Sequence, residues 1–96
     1  MTETAADRIP VVITTEYRGV FFGWIDPACQ RERVIEAYRI RNAMFWSAET
    51  GGFLGLAQSG PATGSKIGKE ATRAVLHGVT SVTECSAEAA TKWTSY

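Results

Sequence analysis

The sequence lacks an excess of either charge, because ten Lys and Arg residues balance ten Asp and Glu residues in a chain of 96 residues. A protein that coats nucleic acid or an acidic membrane carries a clear positive excess. The sequence also lacks a run of about 18 apolar residues, which a membrane-spanning helix requires. We therefore expect neither long nucleic acid nor a membrane as a partner.

Cysteine and histidine are scarce, with Cys29, Cys85 and His77 as the only examples. Their spacing matches no zinc-binding pattern. His77 is the only base available to a Ser-His-Asp or Cys-His set, and no G-x-S-x-G motif accompanies it. The sequence therefore predicts no metal, no cofactor and no catalytic residue, and we do not expect an enzyme.

The N-terminal segment is acidic and polar, without the basic start and apolar stretch of a secretory signal. We therefore expect a cytoplasmic protein, in which both cysteines stay thiols because the cytosol is reducing. A chain of 96 residues is long enough for one modest core. We divide it into a flexible leader, residues 1–9, and a single domain, residues 10–96.

Two β-branched and aromatic runs, residues 11–17 and 20–25, predict a hairpin of two strands. Gly19 lies in the turn, where it is free to adopt a positive φ. In the second strand Phe22 and Trp24 share one face, and the other face is also apolar. The second strand is therefore predicted to be central.

Residues 32–46 fit neither the helical nor the strand period cleanly, and we favour a strand. An extended chain places Tyr38 and Ile40 on one face and brings Arg39 and Arg41 side by side on the other. A helix would instead separate the two arginines by about 200°.

Two helices complete the prediction. Residues 53–58 favour a short helix that ends at Gly60. Ser86 caps a C-terminal helix over residues 87–95, which Trp93 anchors on the sheet. Runs of strands with helices set apart predict an α+β fold: a small antiparallel sheet with one short internal helix and a C-terminal helix packed on it.

The two arginines define the first candidate binding cluster. A guanidinium offers a planar fork to phosphate or carboxylate, and a nearby aromatic ring can stack on a base. The alternative is a solvated strand face with two ordinary surface arginines. The predicted ligand-binding residues of this cluster are Arg39, Arg41, Asn42, Trp46 and Ser47.

A loop rich in glycine and hydroxyl groups is the second candidate. Its backbone N–H groups and hydroxyls can hold an anion, although a plain surface loop is the alternative. A G-x-x-x-x-G-K-[ST] phosphate loop is excluded, because the glycines are too close together and a serine precedes the lysine. The predicted ligand-binding residues of this loop are Ser59, Gly60, Thr63, Gly64, Ser65 and Lys66.

Four separated segments carry a resemblance to a known family. They are TEYRGVFFG at 15–23, RNAMFWS at 41–47, GLAQSGP at 55–61 and HGVTSVTEC at 77–85. Over about residues 11–93 the chain resembles a family of small phage and prophage proteins of unassigned function. The resemblance implies a phage origin, a single compact domain and residence in the host cell cytosol. It implies no activity, cofactor or catalytic residue.

Together, these features lead to the hypothesis of a phage accessory protein that binds and sequesters a small anionic ligand, such as a nucleotide immune signal, to counter host defence. The alternatives are a protein-binding inhibitor of a host defence factor and a structural accessory protein without a ligand. Ten aromatic residues are many for one small interior, which predicts a homo-oligomer. On this hypothesis Arg41→Ala weakens binding and leaves stability unchanged.

Overall fold

The structure, a computed structural model, describes residues 8–96, without the side chain of Arg18. Residues 1–7 of the predicted leader lie outside this range, and the first strand begins at Ile9. The elements are β1 (Ile9–Thr15), β2 (Gly19–Ile25), β3 (Ile35–Phe45), α1 (Gly52–Gln58), β4 (Lys66–Ile67), β5 (Ala71–Leu76), β6 (Val79–Glu84) and α2 (Ala87–Ser95). The predicted α+β class, with a short internal helix and a C-terminal helix, is confirmed.

The sheet contains six strands that pair antiparallel in the order β4-β3-β2-β1-β6, and β5 also pairs with β3. β5 lies opposite residues 35–40 of β3 and β4 lies opposite residues 43–45, so both occupy the same edge of β3. β5 and β6 pair at opposite ends of the sheet, yet only His77 and Gly78 separate them in sequence. The sheet therefore curls until its two edges approach each other at this turn.

Alternate residues of the strands enter two apolar clusters, one on each face of the sheet. The cluster on the inner side of the curl is built from strand residues: Val11, Ile13, Ile25, Ile35, Ala37, Ile40, Leu76 and Val79. The cluster on the outer side joins strands to both helices: Val12, Val20, Phe22, Ala43, Leu56, Ala57, Ala89, Ala90 and Trp93. β2 contributes to both clusters and pairs with β1 and β3, which confirms that it is a central strand.

A β-bulge interrupts the pairing of β2 with β3. Phe22 pairs with Arg41, whereas Trp24 pairs with Tyr38. Two residues of β3 therefore oppose Gly23 alone, which is the arrangement of a bulge with one extra residue. Consequently, odd-numbered residues of β3 point to one face of the sheet before the bulge and to the other face after it.

Arg39 is the residue that forms the bulge. Its φ of 52° lies in the left-handed region, which residues other than glycine seldom adopt. The extra residue keeps Ile40 on the inner side with Ala37, opposite to Tyr38. The strand predicted here is therefore confirmed, but the prediction that Tyr38 and Ile40 share a face is wrong, because simple alternation does not cross a bulge.

α2 docks on the outer face through Trp93, which is fully buried. Its ring stacks on Phe22 with a centroid distance of 5.0 Å and an interplanar angle of 9°. Its indole N–H donates to the Leu56 carbonyl at 3.0 Å, which joins α2 to α1. The Ser86 hydroxyl accepts the Ala89 N–H at 3.0 Å, so both the predicted cap and the predicted anchor are confirmed.

The turn between β1 and β2 differs from the prediction. The positive φ, 66°, occurs at Tyr17, while Gly19 has a φ of −72°. The Tyr17 side chain is 96% exposed. The Glu16 N–H donates to the Gly78 carbonyl at 2.9 Å and so ties this turn to the one between β5 and β6. The geometry of the β1–β2 turn is thus set by a contact distant in sequence, which explains why local turn preferences failed here.

Trp93→Ala is expected to lower the free energy of unfolding by about 3–5 kcal/mol, because it removes a buried ring from the core. Thr91→Ala, at an exposed position of the same helix, is the control and should change it by less than about 1 kcal/mol. Urea denaturation measures both values. Similar losses in the two variants would show that Trp93 is not the anchor of α2.

Gly60→Ala and Gly64→Ala separate backbone strain from crowding. Their φ values are 83° and 94°, and a side chain in the left-handed region costs about 1–2 kcal/mol. Only at Gly60 does a new Cβ atom also come within 2.7 Å of the Lys92 Cβ. We expect the larger loss of stability in urea for Gly60→Ala, and equal losses would contradict the close approach of α2.

Candidate functional site

A cleft of about 130 Å³ is lined by Arg8, Trp24, Tyr38 and Arg39. Pro10 pairs with Trp24, and Trp24 pairs with Tyr38, so three strands meet at this point. Arg8 is two residues before Pro10, and alternate residues of an extended chain share a face, so Arg8 lies on the same outer face as Trp24. The fold therefore brings two aromatic rings and two guanidinium groups to one place.

Each guanidinium lies over one of the rings. The Arg8 Cζ is 3.4 Å from the centroid of the Tyr38 ring, which is a close stacking contact. The Arg39 Cζ is 5.9 Å from the centroid of the Trp24 ring. The edge of Phe22 meets Trp24 with a centroid distance of 6.1 Å and an interplanar angle of 82°, which fixes the indole.

Two N–H donors of the lining residues are buried without a hydrogen-bond acceptor in residues 8–96. They are the Nε of Arg8 and the indole Nε1 of Trp24. A buried donor without a partner costs about 1–3 kcal/mol.

Two ion pairs flank the cleft and differ in how tightly they are made. Glu36 binds the Nε of Arg73 in a close hydrogen-bonded ion pair. That contact, with a further hydrogen bond from Tyr38, lowers the pKa of the Glu36 carboxyl below its ordinary value. Glu70 approaches the Nε of Arg39 only to 3.6 Å, with both side chains partly exposed. Arg39 is therefore held more loosely than Arg73.

Arg8 adds a positive charge that no salt bridge within the described range neutralises. The Arg39–Glu70 pair is loose, and all four lining residues carry donors or aromatic rings. The cleft therefore presents cations and N–H donors to a ligand. This arrangement suits an anion that brings acceptor atoms.

Arg41 lies elsewhere and its guanidinium is occupied. Its Nε donates to the Gly68 carbonyl at 2.9 Å, and one terminal nitrogen donates to the Trp93 carbonyl at 2.7 Å. The second contact places a positive charge at the C-terminal end of α2, where it is favourable. Arg41 thus joins β3, the chain after β4, and α2, and of the two predicted arginines only Arg39 lines the cleft.

The other predicted residues of the first cluster also lie outside the cleft. Asn42 is exposed, and alternation places it on the face opposite to Arg41. Trp46 packs against the outer apolar cluster. Ser47 approaches the second predicted cluster, because its N–H donates to the Ser65 Oγ at 3.1 Å.

The glycine- and hydroxyl-rich loop is bound to its own surroundings. The Tyr96 hydroxyl donates to the Ser65 carbonyl at 2.6 Å, and the Ala62 N–H donates to the Thr50 Oγ1 at 3.1 Å. Gly60 ends α1 as predicted, with its N–H on the Leu56 carbonyl at 3.2 Å. Four further predicted residues are exposed on this loop and at the start of β4: Ser59, Thr63, Gly64 and Lys66.

Residues 8–93 match the model of a family described as a domain of unknown function, DUF6948. The chain belongs to the DUF6948 family. Comparisons with curated proteins and with solved structures gave no match. The family description assigns no activity, and the phage origin stays a prediction that rests on the resemblance above.

Sequence reasoning missed three of the four residues that line the cleft of this DUF6948 domain. It assigned Arg8 to the leader, Trp24 to the core and Tyr38 to an apolar face. A detectable signal existed for the first two, since extending the predicted hairpin toward its open end brings Arg8, two residues before Pro10, near Trp24. No signal marked the bulge, because Arg39 stands where such bulges usually have glycine.

Other reactive groups of the DUF6948 domain lie apart from the cleft. Burial raises the pKa of the Cys85 thiol to about 12, so this group stays protonated near neutral pH. Within residues 8–96 no three His, Cys, Asp or Glu side chains are grouped so that they could hold a metal ion. Neither described helix has the length and apolar run that crossing a bilayer requires.

Arg41→Ala is expected to lower the free energy of unfolding by about 1.5–3 kcal/mol, the range for hydrogen bonds from a charged donor. This outcome reverses the expectation from sequence, because Arg41 holds two backbone carbonyls. Arg33→Ala, which breaks the exposed pair with Glu16, is the matched control and should cost less than about 1 kcal/mol. If Arg41→Ala and the wild type prove equally stable in thermal and urea unfolding, Arg41 does not anchor α2.

Proposed function

We propose that this DUF6948 protein binds a small anionic ligand in the cleft formed by Arg8, Trp24, Tyr38 and Arg39. The observation that carries the proposal is that two guanidinium groups line one concave site, one without a salt bridge in residues 8–96 (Arg8) and one in a loose ion pair (Arg39). Oriented N–H donors and guanidinium forks are the groups that recognise carboxylate and phosphate.

The size of the cleft limits the ligand. Sites for drug-sized molecules occupy roughly 300–1,000 Å³, whereas this cleft has about 130 Å³. The cleft therefore takes a small anion or one end of a larger one, and the remainder of a larger ligand stays outside it. This constraint favours a single ring or a single anionic group over a complete dinucleotide.

The narrowest form of the proposal keeps the biological setting inferred from sequence. In that form the ligand is a nucleotide immune signal of a host cell, and the protein acts by sequestering it. Support for this setting comes from the resemblance to phage proteins, while support for anion binding comes from the cleft. The biological setting and the anion binding can therefore be tested independently.

Binding fits the cleft better than catalysis does. Among the described residues, the carboxylates next to the cleft, Glu36 and Glu70, are engaged with Arg73 and Arg39. The pKa of Glu36 is lowered, which makes this carboxylate a weaker base. We therefore propose a binding protein and not an enzyme.

The experiment is a titration of the protein with adenosine monophosphate, followed by the NMR signal of the Trp24 indole N–H and by calorimetry. The double variant Arg8→Gln/Arg39→Gln should bind about tenfold or more weakly, since each tenfold loss is about 1.4 kcal/mol. Arg33→Gln removes one positive charge from a distant ion pair and serves as the control, with affinity close to that of the wild type.

Three results would contradict the proposal. The first is the absence of any shift of the Trp24 indole signal with both adenosine monophosphate and inorganic phosphate at about 10 mM, where even weak sites fill. The second is equal binding by the double variant and the wild type. Equal weakening in the double variant and in Arg33→Gln would also contradict it, because it would indicate nonspecific attraction.

A further inference from the structure

We propose that the ligand carries a planar aromatic ring next to its anionic group, and that this ring enters between Trp24 and the Arg39 guanidinium. The inference rests on the proposed anion binding and specifies the class of ligand. Its chemical class is a small aromatic anion, whether an aromatic carboxylate or a base joined to a phosphate.

The two guanidinium–ring pairs of the cleft are not equivalent. Arg8 lies 3.4 Å from the Tyr38 ring centroid, so nothing fits between them. Arg39 lies 5.9 Å from the Trp24 ring centroid, well beyond contact distance. One aromatic face is therefore closed, and the other is only loosely covered.

The looser gap is close to what an inserted ring needs. A ring stacked on both sides at the contact distance seen for Arg8 requires twice 3.4 Å, or 6.8 Å, whereas the Arg39 Cζ lies 5.9 Å from the Trp24 centroid, so the guanidinium must move outward by at least 0.9 Å. A shift of this size is within the reach of one arginine side chain, without any movement of the strands. The inserted ring would contact the indole on one face and the guanidinium on the other.

Arg39 has the freedom to make this shift. Its side chain is 55% exposed, and its ion pair with Glu70, at 3.6 Å, is longer than a hydrogen bond. The Tyr38 side is held more tightly by contrast, because the Arg8 guanidinium stacks on the Tyr38 ring at 3.4 Å. The cleft thus has one rigid wall and one wall that can open by a small movement.

The anionic group of the ligand also has a partner in the cleft. Arg8 lines the cleft, and no salt bridge in the described part of the chain neutralises its charge. An anionic group attached to the inserted ring can therefore bind the Arg8 guanidinium. A saturated anion can satisfy the donors, but it cannot stack in the gap.

The test compares benzoate with cyclohexanecarboxylate, which share charge and ring size and differ in planarity. In wild-type protein, benzoate should bind at least about fivefold more tightly, which is the lower end of the stabilisation from stacking on an aromatic side chain. Adenosine monophosphate should likewise exceed ribose 5-phosphate, which lacks the base. Affinities come from calorimetry, or from NMR where binding is weak.

Variants localise the preference. Trp24→Leu should remove the difference between benzoate and cyclohexanecarboxylate, while Trp24→Phe, which keeps an aromatic face, should retain most of it. Trp46→Phe changes a tryptophan outside the cleft and should leave the preference unchanged. The comparison of the two acids in wild-type protein remains decisive if Trp24→Leu fails to fold.

The outcomes separate the two proposals. Equal affinity for the planar and the saturated acid would overturn the stacking inference and leave anion binding intact. Absence of binding for every probe would overturn both. A preference for benzoate that survives in Trp24→Leu would show that the ring binds elsewhere, and would also overturn the inference.

Discussion

The bulge at Arg39 is the constraint on which the rest of the structure depends. Strict alternation from Ile35 and Ala37 would point Arg39 into the inner apolar cluster, where an unpaired guanidinium is very costly. The left-handed backbone at Arg39 adds one residue and reverses the alternation. Ile40 then fills the interior, and Arg39 joins Trp24 on the outer face.

The same reversal accounts for the role of Arg41. With the alternation inverted, Arg41 and Ala43 face the side that carries the helices, and Ala43 enters the outer cluster. Arg41 is then placed to bind the carbonyl at the end of α2, whose Trp93 is the largest buried side chain. One irregular residue thus positions the candidate site and also makes possible the polar anchor of the C-terminal helix. Arg41 thus holds the end of α2, while Arg39, two residues earlier in the same strand, lines the candidate site.

Much of the fold could be predicted from local sequence, and the site largely could not. β2 was recognisable as central because both of its faces are apolar, and α2 was recognisable from Ser86 and Trp93. The cleft depends on pairing across three strands and on a bulge without glycine, and no short stretch of the sequence indicates either feature. The loop of residues 59–65 had the composition of an anion site, but its groups bind Tyr96 and Thr50, which lie far from it in sequence.

The curled sheet also has a consequence for the order of assembly. β1 pairs with β2, its neighbour in sequence, and with β6, whose Val82 lies opposite Ile13. The meander of the first three strands can form early, but one side of β1 stays open until β6 has been synthesised. Contacts that join such distant positions slow folding. A nascent chain on the ribosome therefore carries an exposed strand edge until β6 is available, and closing the curl is the step that removes it.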